Sequence, residues 1–116
     1  MTTFRLRQIL LRSTNVEQAL SNQTELANLE VSFRDQDRYI AFERTPLNVA
    51  IVGPSEARYP LTLAYRVDDV DDAVQILTQR GFTVVEPPSQ GAHESHALLL
   101  DPDGVPTSVY CPKAQE

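Results

Sequence analysis

Polar and apolar residues alternate near the start of the chain and then change to a helical spacing. Residues 4–12, FRLRQILLR, alternate before they become apolar, which predicts a β-strand. Asn15 follows, with Gln18 three positions later, a pair that is typical of a helix N-terminus. Val16 and Leu20 share one face of this predicted helix. We expect the helix to end within the polar segment SNQTELAN, where turn-forming residues are crowded together.

Three short strands are predicted between this helix and the middle of the chain. LEVSFRD (29–35) places Val31 and Phe33 between polar neighbours, as in a half-buried strand. RYIAFER (38–44) brings the chain back after a turn. NVAIVGP (48–54) is a short apolar run that ends in Gly-Pro, which predicts a buried strand.

The second half repeats this order after a linker at 55–60. LTLAYRV (61–67) is a predicted strand, and Asp69 is placed to cap a helix that ends near Gly81. We expect a strand at FTVVE (82–86), a loop at PPSQGAHE (87–94), and strands at SHALLL (95–100) and PTSVYCP (106–112). The order is therefore βαβββ, repeated once.

Short sequence matches support a duplication. NVEQAL aligns with DVDDAV at an offset of 54 residues, and AIVGP aligns with SVYCP at an offset of 58. The pattern predicts an α+β fold with one module at about 4–54 and a second at about 61–112, within a single domain of residues 1–116. The side chains expected to be buried under the helices are Ile9, Leu11, Leu63, Tyr65, Val74 and Leu77.

Length and charge narrow the class of protein. A chain of 116 residues is long enough for one domain with its own core. The net charge of −6 argues against a nucleic-acid or anionic-membrane partner, because both need a basic surface. No apolar run reaches the ~18 residues of a membrane span. Cys111 has no second cysteine to pair with, which fits the cytoplasm, where we expect the protein to be.

The second half also carries a recognisable motif. YRVDDVDDAVQILTQRGFTVVEPP, followed by HALLLDPDGVPTSVYCP, resembles the glyoxalase/bleomycin-resistance/extradiol-dioxygenase group, the vicinal oxygen chelate superfamily. Residues 61–112 match closely, and residues 4–54 match in outline. In the DPDG turn, Asp101 can accept hydrogen bonds from turn amides and Gly104 permits a positive φ.

This resemblance implies a fold and an assembly. Two βαβββ modules would form a cupped, eight-stranded mixed sheet with its helices on the outer face, and the cup would hold a ligand. A homodimer is expected, because family members usually complete the cup with a second subunit. A single ferredoxin-like βαββαβ sheet with extra strands is the alternative architecture.

Many enzymes of this family bind a divalent metal on the floor of the cup. The resemblance places the four ligand positions on Gln8, Ala50, Thr62 and Ser108. None of these side chains carries the negative charge that hard divalent ions favour. We therefore expect no metal and no other cofactor.

The remaining candidates line the expected cup or its mouth. Arg12 and Arg66 are either solvated strand ends or a pair of cations that hold an anionic group. His93 and His96, near Glu86 and Glu94, are either solvated hairpin residues or a general acid and base. The expected ligand-binding side chains are Gln8, Arg12, Asn48, Thr62, Arg66, Ser108 and Tyr110.

Three functions remain open at this point. The first is a metal-free protein that binds a small organic ligand, anionic if the arginines contact it, without changing it. The second is a metal-independent isomerase or lyase that uses His93, His96 or Tyr110 for proton transfer. The third is a divalent-metal enzyme whose ligands lie elsewhere in the chain. The sequence alone does not decide whether the protein is an enzyme.

Overall fold

A computed structural model describes residues 2–43 and 48–113 of the chain. Residue 44, the predicted end of the third strand, lies outside this part. The elements are β1 (Phe4–Arg12), α1 (Val16–Ser21), a π-helical turn (Asn22–Leu26), β2 (Glu30–Asp35), β3 (Tyr39–Glu43), β4 (Asn48–Val52), β5 (Leu61–Val67), α2 (Val70–Gln79), β6 (Thr83–Gln90), β7 (Glu94–Leu100) and β8 (Pro106–Pro112). No helix within the described ranges is long and apolar enough to cross a membrane.

The strands form one mixed sheet in the order β2-β3-β4-β1-β5-β8-β7-β6. This confirms the α+β class and the repeated βαβββ order. By its contacts the chain divides into two compact units. The first unit spans Gln8–Thr62, and the second contains the residues before Gln8 together with those from Leu63 onward. The start of β1 thus belongs to the second unit, and the single-domain assignment stays a prediction.

Strand register within each unit confirms the internal repeat. In the first unit β1 pairs in parallel with β4, and Leu10 lies opposite Ala50. In the second unit β5 pairs in parallel with β8, and Ala64 lies opposite Ser108. These two pairs are related by the offsets of 54 and 58 that the sequence matches predicted. The two modules therefore share a register as well as an order of elements.

The first unit packs its core around α1. Asn15 caps the helix, since its side-chain oxygen accepts a hydrogen bond from the Gln18 amide at 3.1 Å. As predicted, the helical segment ends within residues 21–28, since α1 stops at Ser21 and a π-helical turn then runs to Leu26. There the Thr24 hydroxyl donates to the Leu20 carbonyl at 3.0 Å. The buried side chains are Val16, Ile40, Phe42 and Ile51.

Strand β2 is more exposed than its alternation predicted. Val31 is 41% exposed and Phe33 is 57% exposed, so neither is half-buried in the core. The strand lies at one end of the sheet order, and its register with β3 shifts between these two residues. An edge strand with a bulge turns its side chains away from the core, which accounts for the difference.

The second unit packs its core under α2. Asp69 caps this helix by accepting from the Asp72 amide at 3.0 Å, and Gly81 follows it with a φ of 91°. Both features were predicted from turn and cap chemistry. The buried side chains of this core are Val67, Val70, Ala73, Leu77, Ala97, Leu99 and Val109.

Strand β6 corrects a second expectation. It runs through Pro87 and Pro88 to Gln90, where the sequence predicted a loop. Its register with β7 shifts twice along the way. β6 is the last strand in the sheet order and has only one neighbouring strand. Proline has no N–H group to donate, and on such an edge strand no second neighbour requires one.

Burial under the helices is also less complete than predicted. Among the six expected residues, Leu77 is buried, while Ile9, Leu11, Leu63, Tyr65 and Val74 are half-buried. In the first unit, α1 has six residues and presents only a short apolar face to the strands. In the second unit, the half-buried side chains Leu63 and Tyr65 of β5 line a cavity together with Leu77 of α2.

Candidate functional site

The strands of the second unit present one face to α2 and one face away from it. Tyr65, Val67 and Val109 pack with the α2 core. Since side chains alternate along a strand, Arg66 and Tyr110 lie on the opposite face. We call the face of the strands opposite the helix of the same unit the far face.

A row of polar side chains crosses the far face of the second unit. Arg66 on β5 lies opposite Tyr110 on β8, Tyr110 lies opposite His96 on β7, and His96 lies opposite Ser89 on β6. Side chains directly opposite each other on antiparallel strands, such as Tyr110 and His96, have Cβ atoms about 4.5–5.5 Å apart. The row therefore joins a cation, a phenol, an imidazole and a hydroxyl. Arg66 is exposed, while Tyr110 and His96 are half-buried.

His96 is the least satisfied side chain of this row. Its Nε2 lies 3.2 Å from Ser89 Oγ. Its Nδ1 is buried and has no hydrogen-bond partner among the residues that the structure describes. A Cβ atom built on Gly91 would lie 3.9 Å from this nitrogen, so the hairpin loop covers it. An unpaired buried polar atom costs about 1–3 kcal/mol, and such atoms need an explanation.

The two histidines of the sequence motif thus differ. His93 is exposed in the loop between β6 and β7, as a solvated hairpin residue would be. His96 is half-buried and its Nδ1 is fully buried, so the interpretation as a solvated hairpin residue is wrong for His96. Sequence spacing could not separate them, because the burial of His96 comes from its neighbours on other strands.

The two arginines have different surroundings. In the first unit, Arg12 is half-buried and donates from Nη1 to the carbonyl of Arg58 at 2.6 Å, which attaches it to the linker. In the second unit, Arg66 is exposed at the end of β5, near Asp68. The Thr3 hydroxyl and amide, and then the charges of Arg5 and Arg66, lower the pKa of Asp68.

The far face of the first unit holds a second polar group. Gln8 lies opposite Asn48 in the register of β1 and β4. The side-chain nitrogen of Gln8 donates to the Tyr39 hydroxyl at 2.5 Å, and the ring of Tyr39 lies 6.2 Å from that of Phe33. Tyr39 was not predicted as a site residue from the sequence, although its place in β3 opposite Val52 follows from strand alternation once the register is known.

The positions of the four expected metal ligands do not fit a divalent ion. Ala50 is fully buried and has no side-chain oxygen, and Thr62 is buried as well. Ser108 is half-buried beside Ala64 and Leu98. Gln8 is the remaining position, and its amide already contacts Tyr39. Within residues 2–43 and 48–113, no three His, Cys, Asp or Glu side chains come together to hold an ion.

An acidic cavity of about 350 Å³ lies at the N-terminal end of α2. Its walls include Asp68, Asp69 and Asp71, together with Ser95 and Cys111. The Cys111 thiol donates to the Asp68 carbonyl at 3.5 Å, and Asp69 caps the helix. Cys111 and Asp69 therefore have structural partners that account for their placement.

Comparisons with known proteins agree with this fold. The profile of the Glyoxalase/Bleomycin resistance protein/Dioxygenase superfamily matches residues 12–109. An uncharacterized protein of Mycolicibacterium smegmatis is 22% identical over 114 residues, which are 97% of each chain. A Legionella pneumophila structure described as an NAD-dependent benzaldehyde dehydrogenase superposes with a TM-score of 0.76, at 16% identity, over 91% of this chain and 98% of that one.

Two further solved structures show the same fold. A superfamily member from Vibrio splendidus superposes with a TM-score of 0.74, at 14% identity, over 94% of this chain and 99% of that one. Streptomyces coelicolor methylmalonyl-CoA epimerase superposes with a TM-score of 0.65, at 15% identity, over 95% and 98% of the two chains. At these identities the likeness concerns the fold, since one fold supports many functions.

Proposed function

Because the chain belongs to the glyoxalase/bleomycin resistance protein/dioxygenase superfamily, we propose that it is a metal-free protein that binds a small organic ligand on the far face of its strands. The polar row of Ser89, His96, Tyr110 and Arg66 carries this proposal. It combines hydrogen-bonding groups and one cation with the apolar side chains of neighbouring positions, as small-molecule sites do.

The charges of the far face favour an anionic or hydrogen-bond-accepting ligand. Arg66 and Arg12 are the cations among the expected ligand-binding residues. The other members, Gln8, Asn48, Thr62, Ser108 and Tyr110, supply neutral amides and hydroxyls. A hydrogen bond to a charged group contributes about 1.5–3 kcal/mol, so one arginine can decide how the ligand is oriented.

Absence of a metal is part of the proposal. The four positions at which family enzymes hold their ion offer at most three neutral oxygens here, from Gln8, Thr62 and Ser108. A hard divalent ion would have to exchange its water for these neutral groups, which is unfavourable. Elemental analysis of untagged protein should therefore find no stoichiometric zinc, iron, nickel or manganese. A metal near one equivalent per chain would reject this part of the proposal.

A metal-independent isomerase or lyase is the second candidate. The observation that favours it is the position of His96, a half-buried imidazole opposite Tyr110 in the strand register and 3.2 Å from Ser89 Oγ through Nε2. A neutral imidazole can accept a proton from a carbon acid or transfer one between two positions. Conversion of a bound compound, followed by NMR, would distinguish this enzyme from a binding protein. His96→Asn should then abolish turnover while binding persists.

We also propose that the protein is cytoplasmic and that it forms a homodimer. The single cysteine and the net charge of −6 fit a reducing, aqueous compartment. The terminal strands β2 and β6 leave edges that a second copy can cover.

Two arginine variants test the binding site. A screen of small carboxylates and phosphates by thermal shift identifies a ligand, and calorimetry then measures its Kd. Arg66→Gln and Arg12→Gln should each weaken binding by roughly ten- to a hundredfold, which is the loss of one charge-assisted hydrogen bond. Arg80→Gln is the matched control. Arg80 is exposed at the end of α2, so this substitution removes the same charge at a position away from the strands.

The two outcomes of this experiment are distinct. If both strand variants bind the ligand as tightly as the parent does, the arginines are solvated strand ends and the anionic part of the proposal is wrong. If Arg80→Gln weakens binding as much as they do, the effect comes from net charge and not from contact.

A further inference from the structure

An apolar cavity lies on the α2 side of the second unit, on the opposite side of the strands from the far face. It has a volume of about 220 Å³. Three aromatic residues, two leucines, one threonine and one aspartate line it. The lining residues are Phe4, Leu63, Tyr65, Leu77, Phe82, Asp101 and Thr107.

The cavity explains why two residues of β5 are less buried than the sequence predicts. Leu63 and Tyr65 face α2 but remain half-buried, as do Phe4 and Phe82. The rings of Phe4 and Tyr65 meet edge to face, with centroids 6.5 Å apart and planes at 79°. A well-packed core of this size would close around such side chains, because voids forfeit dispersion contacts. Here the rings line open space.

The cavity lining includes one acidic residue, Asp101. Asp101 Oδ1 accepts hydrogen bonds from the amides of Asp103 and Val105, each at 2.8 Å. These bonds fix the carboxylate at the DPDG turn, and Asp101 is one of the residues that line the cavity. The Thr107 hydroxyl donates its hydrogen to the Val105 carbonyl at 3.2 Å, so it does not donate to a ligand in this arrangement. An incoming cation would therefore meet Asp101.

We propose that this cavity binds a small aromatic molecule that carries an ammonium group. An apolar cavity of ~150 Å³ accommodates benzene, whereas sites for drug-sized ligands run from about 300 to 1,000 Å³. A volume of about 220 Å³ therefore suits one ring or two fused rings. The aromatic wall favours a planar ring, and Asp101 favours a cation over an anion.

Benzylamine is the probe that tests the proposal. Amide and methyl NMR titration of the whole chain should show saturable shifts at Leu63, Leu77 and Asp101, with a Kd of about 1 mM or tighter. Benzoate has the same ring and the opposite charge, and it should bind at least about tenfold more weakly. Shifts that do not saturate, or equal affinities for the two compounds, would overturn the proposal.

Two variants separate the cavity from the rest of the surface. Leu63→Trp fills the cavity and should weaken benzylamine at least about tenfold, because the added ring occupies the ligand's space. Leu61→Trp is its matched control, since Leu61 is an exposed leucine of the same strand outside the cavity wall, and it should bind like the parent. Equal binding by both variants would contradict the proposal.

Asp101→Asn tests the charge without removing the turn. The asparagine Oδ1 can still accept from the two amides, so the fold should persist. Affinity for benzylamine should fall about three- to tenfold, while affinity for benzyl alcohol should stay within about twofold. An unchanged preference for benzylamine over benzyl alcohol would reject Asp101 as the charged contact.

Discussion

At the scale of single residues, the turn and cap hydrogen bonds form where the sequence predicted them, whereas contacts between strands were not predicted. Asp101 and Gly104 form the predicted turn, with a φ of 87° at the glycine. Asp69 and Asn15 cap their helices. His96 differs, because its Nε2 contacts Ser89 and its buried Nδ1 lies beside Gly91. Residues whose roles involve only their sequence neighbours are the predictable ones.

Asp68 provides a prediction about pH. The hydroxyl and amide of Thr3 lower its pKa from the ordinary value of 3.8. An acid with a lowered folded pKa contributes stability above the unfolded pKa, and this contribution is lost as the pH falls below 3.8 through the folded value. Asp68→Asn should therefore lower the urea midpoint more at about pH 7 than at about pH 2.

The control for Asp68 is Asp103→Asn, which removes an exposed carboxylate from the DPDG turn. It should shift the midpoint much less at neutral pH. A midpoint for Asp68→Asn that differs from the parent by the same amount at both values of pH would show that the carboxylate charge is not responsible.

At the scale of elements, the strands keep their predicted order but differ at the ends of the sheet. β2 exposes its apolar residues and β6 extends through two prolines, and both strands have only one neighbour in the order. Central strands agree better with prediction because ladder hydrogen bonds on both sides hold their alternation in place. Edge strands tolerate bulges, prolines and charges that the sequence pattern does not anticipate.

A pair of like charges across β2 and β3 gives the second prediction. Glu30 lies opposite Glu43, and the hydrogen bond and charge of Glu43 raise the pKa of Glu30 above its ordinary value of 4.5. A raised folded pKa means that the pair favours folding below pH 4.5, and that this advantage is lost as the pH rises through the folded value. Glu30→Gln should therefore raise Tm at about pH 7 more than at about pH 4.

Glu43→Gln should have a similar effect on Tm, since either change removes the repulsion. The double variant should then gain much less than the sum of the two single gains. Strictly additive gains would show that the two carboxylates do not interact.

At the scale of the whole molecule, the chain repeats one module and leaves an apolar surface on β2. Phe33 and Val31 are both large, exposed and on an edge strand, which is where chains pair with one another. We predict a homodimer that uses this strand. Sedimentation at about tens of micromolar should give twice the chain mass of 13.0 kDa.

Phe33→Ser should weaken this dimer at least about tenfold, as the loss of an aromatic interface residue does. Leu26→Ser is the matched control, because Leu26 is 84% exposed but lies in the π-helical turn instead of β2. A parent protein that sediments at 13.0 kDa, or a control that dissociates as readily as Phe33→Ser, would contradict the prediction.

The sequence by itself determined the order of elements, the duplication and its register, because alternation, caps and turn residues act through neighbours along the chain. It also determined that Gln8, Ala50, Thr62 and Ser108 offer no charged ligand, since this depends only on residue identity. The tertiary structure alone decided that His96 is partly buried, that Tyr39 contacts Gln8 and that Leu63 and Tyr65 line a cavity. These features come from packing between residues far apart in the chain, where the volume left between side chains is not encoded by any local pattern.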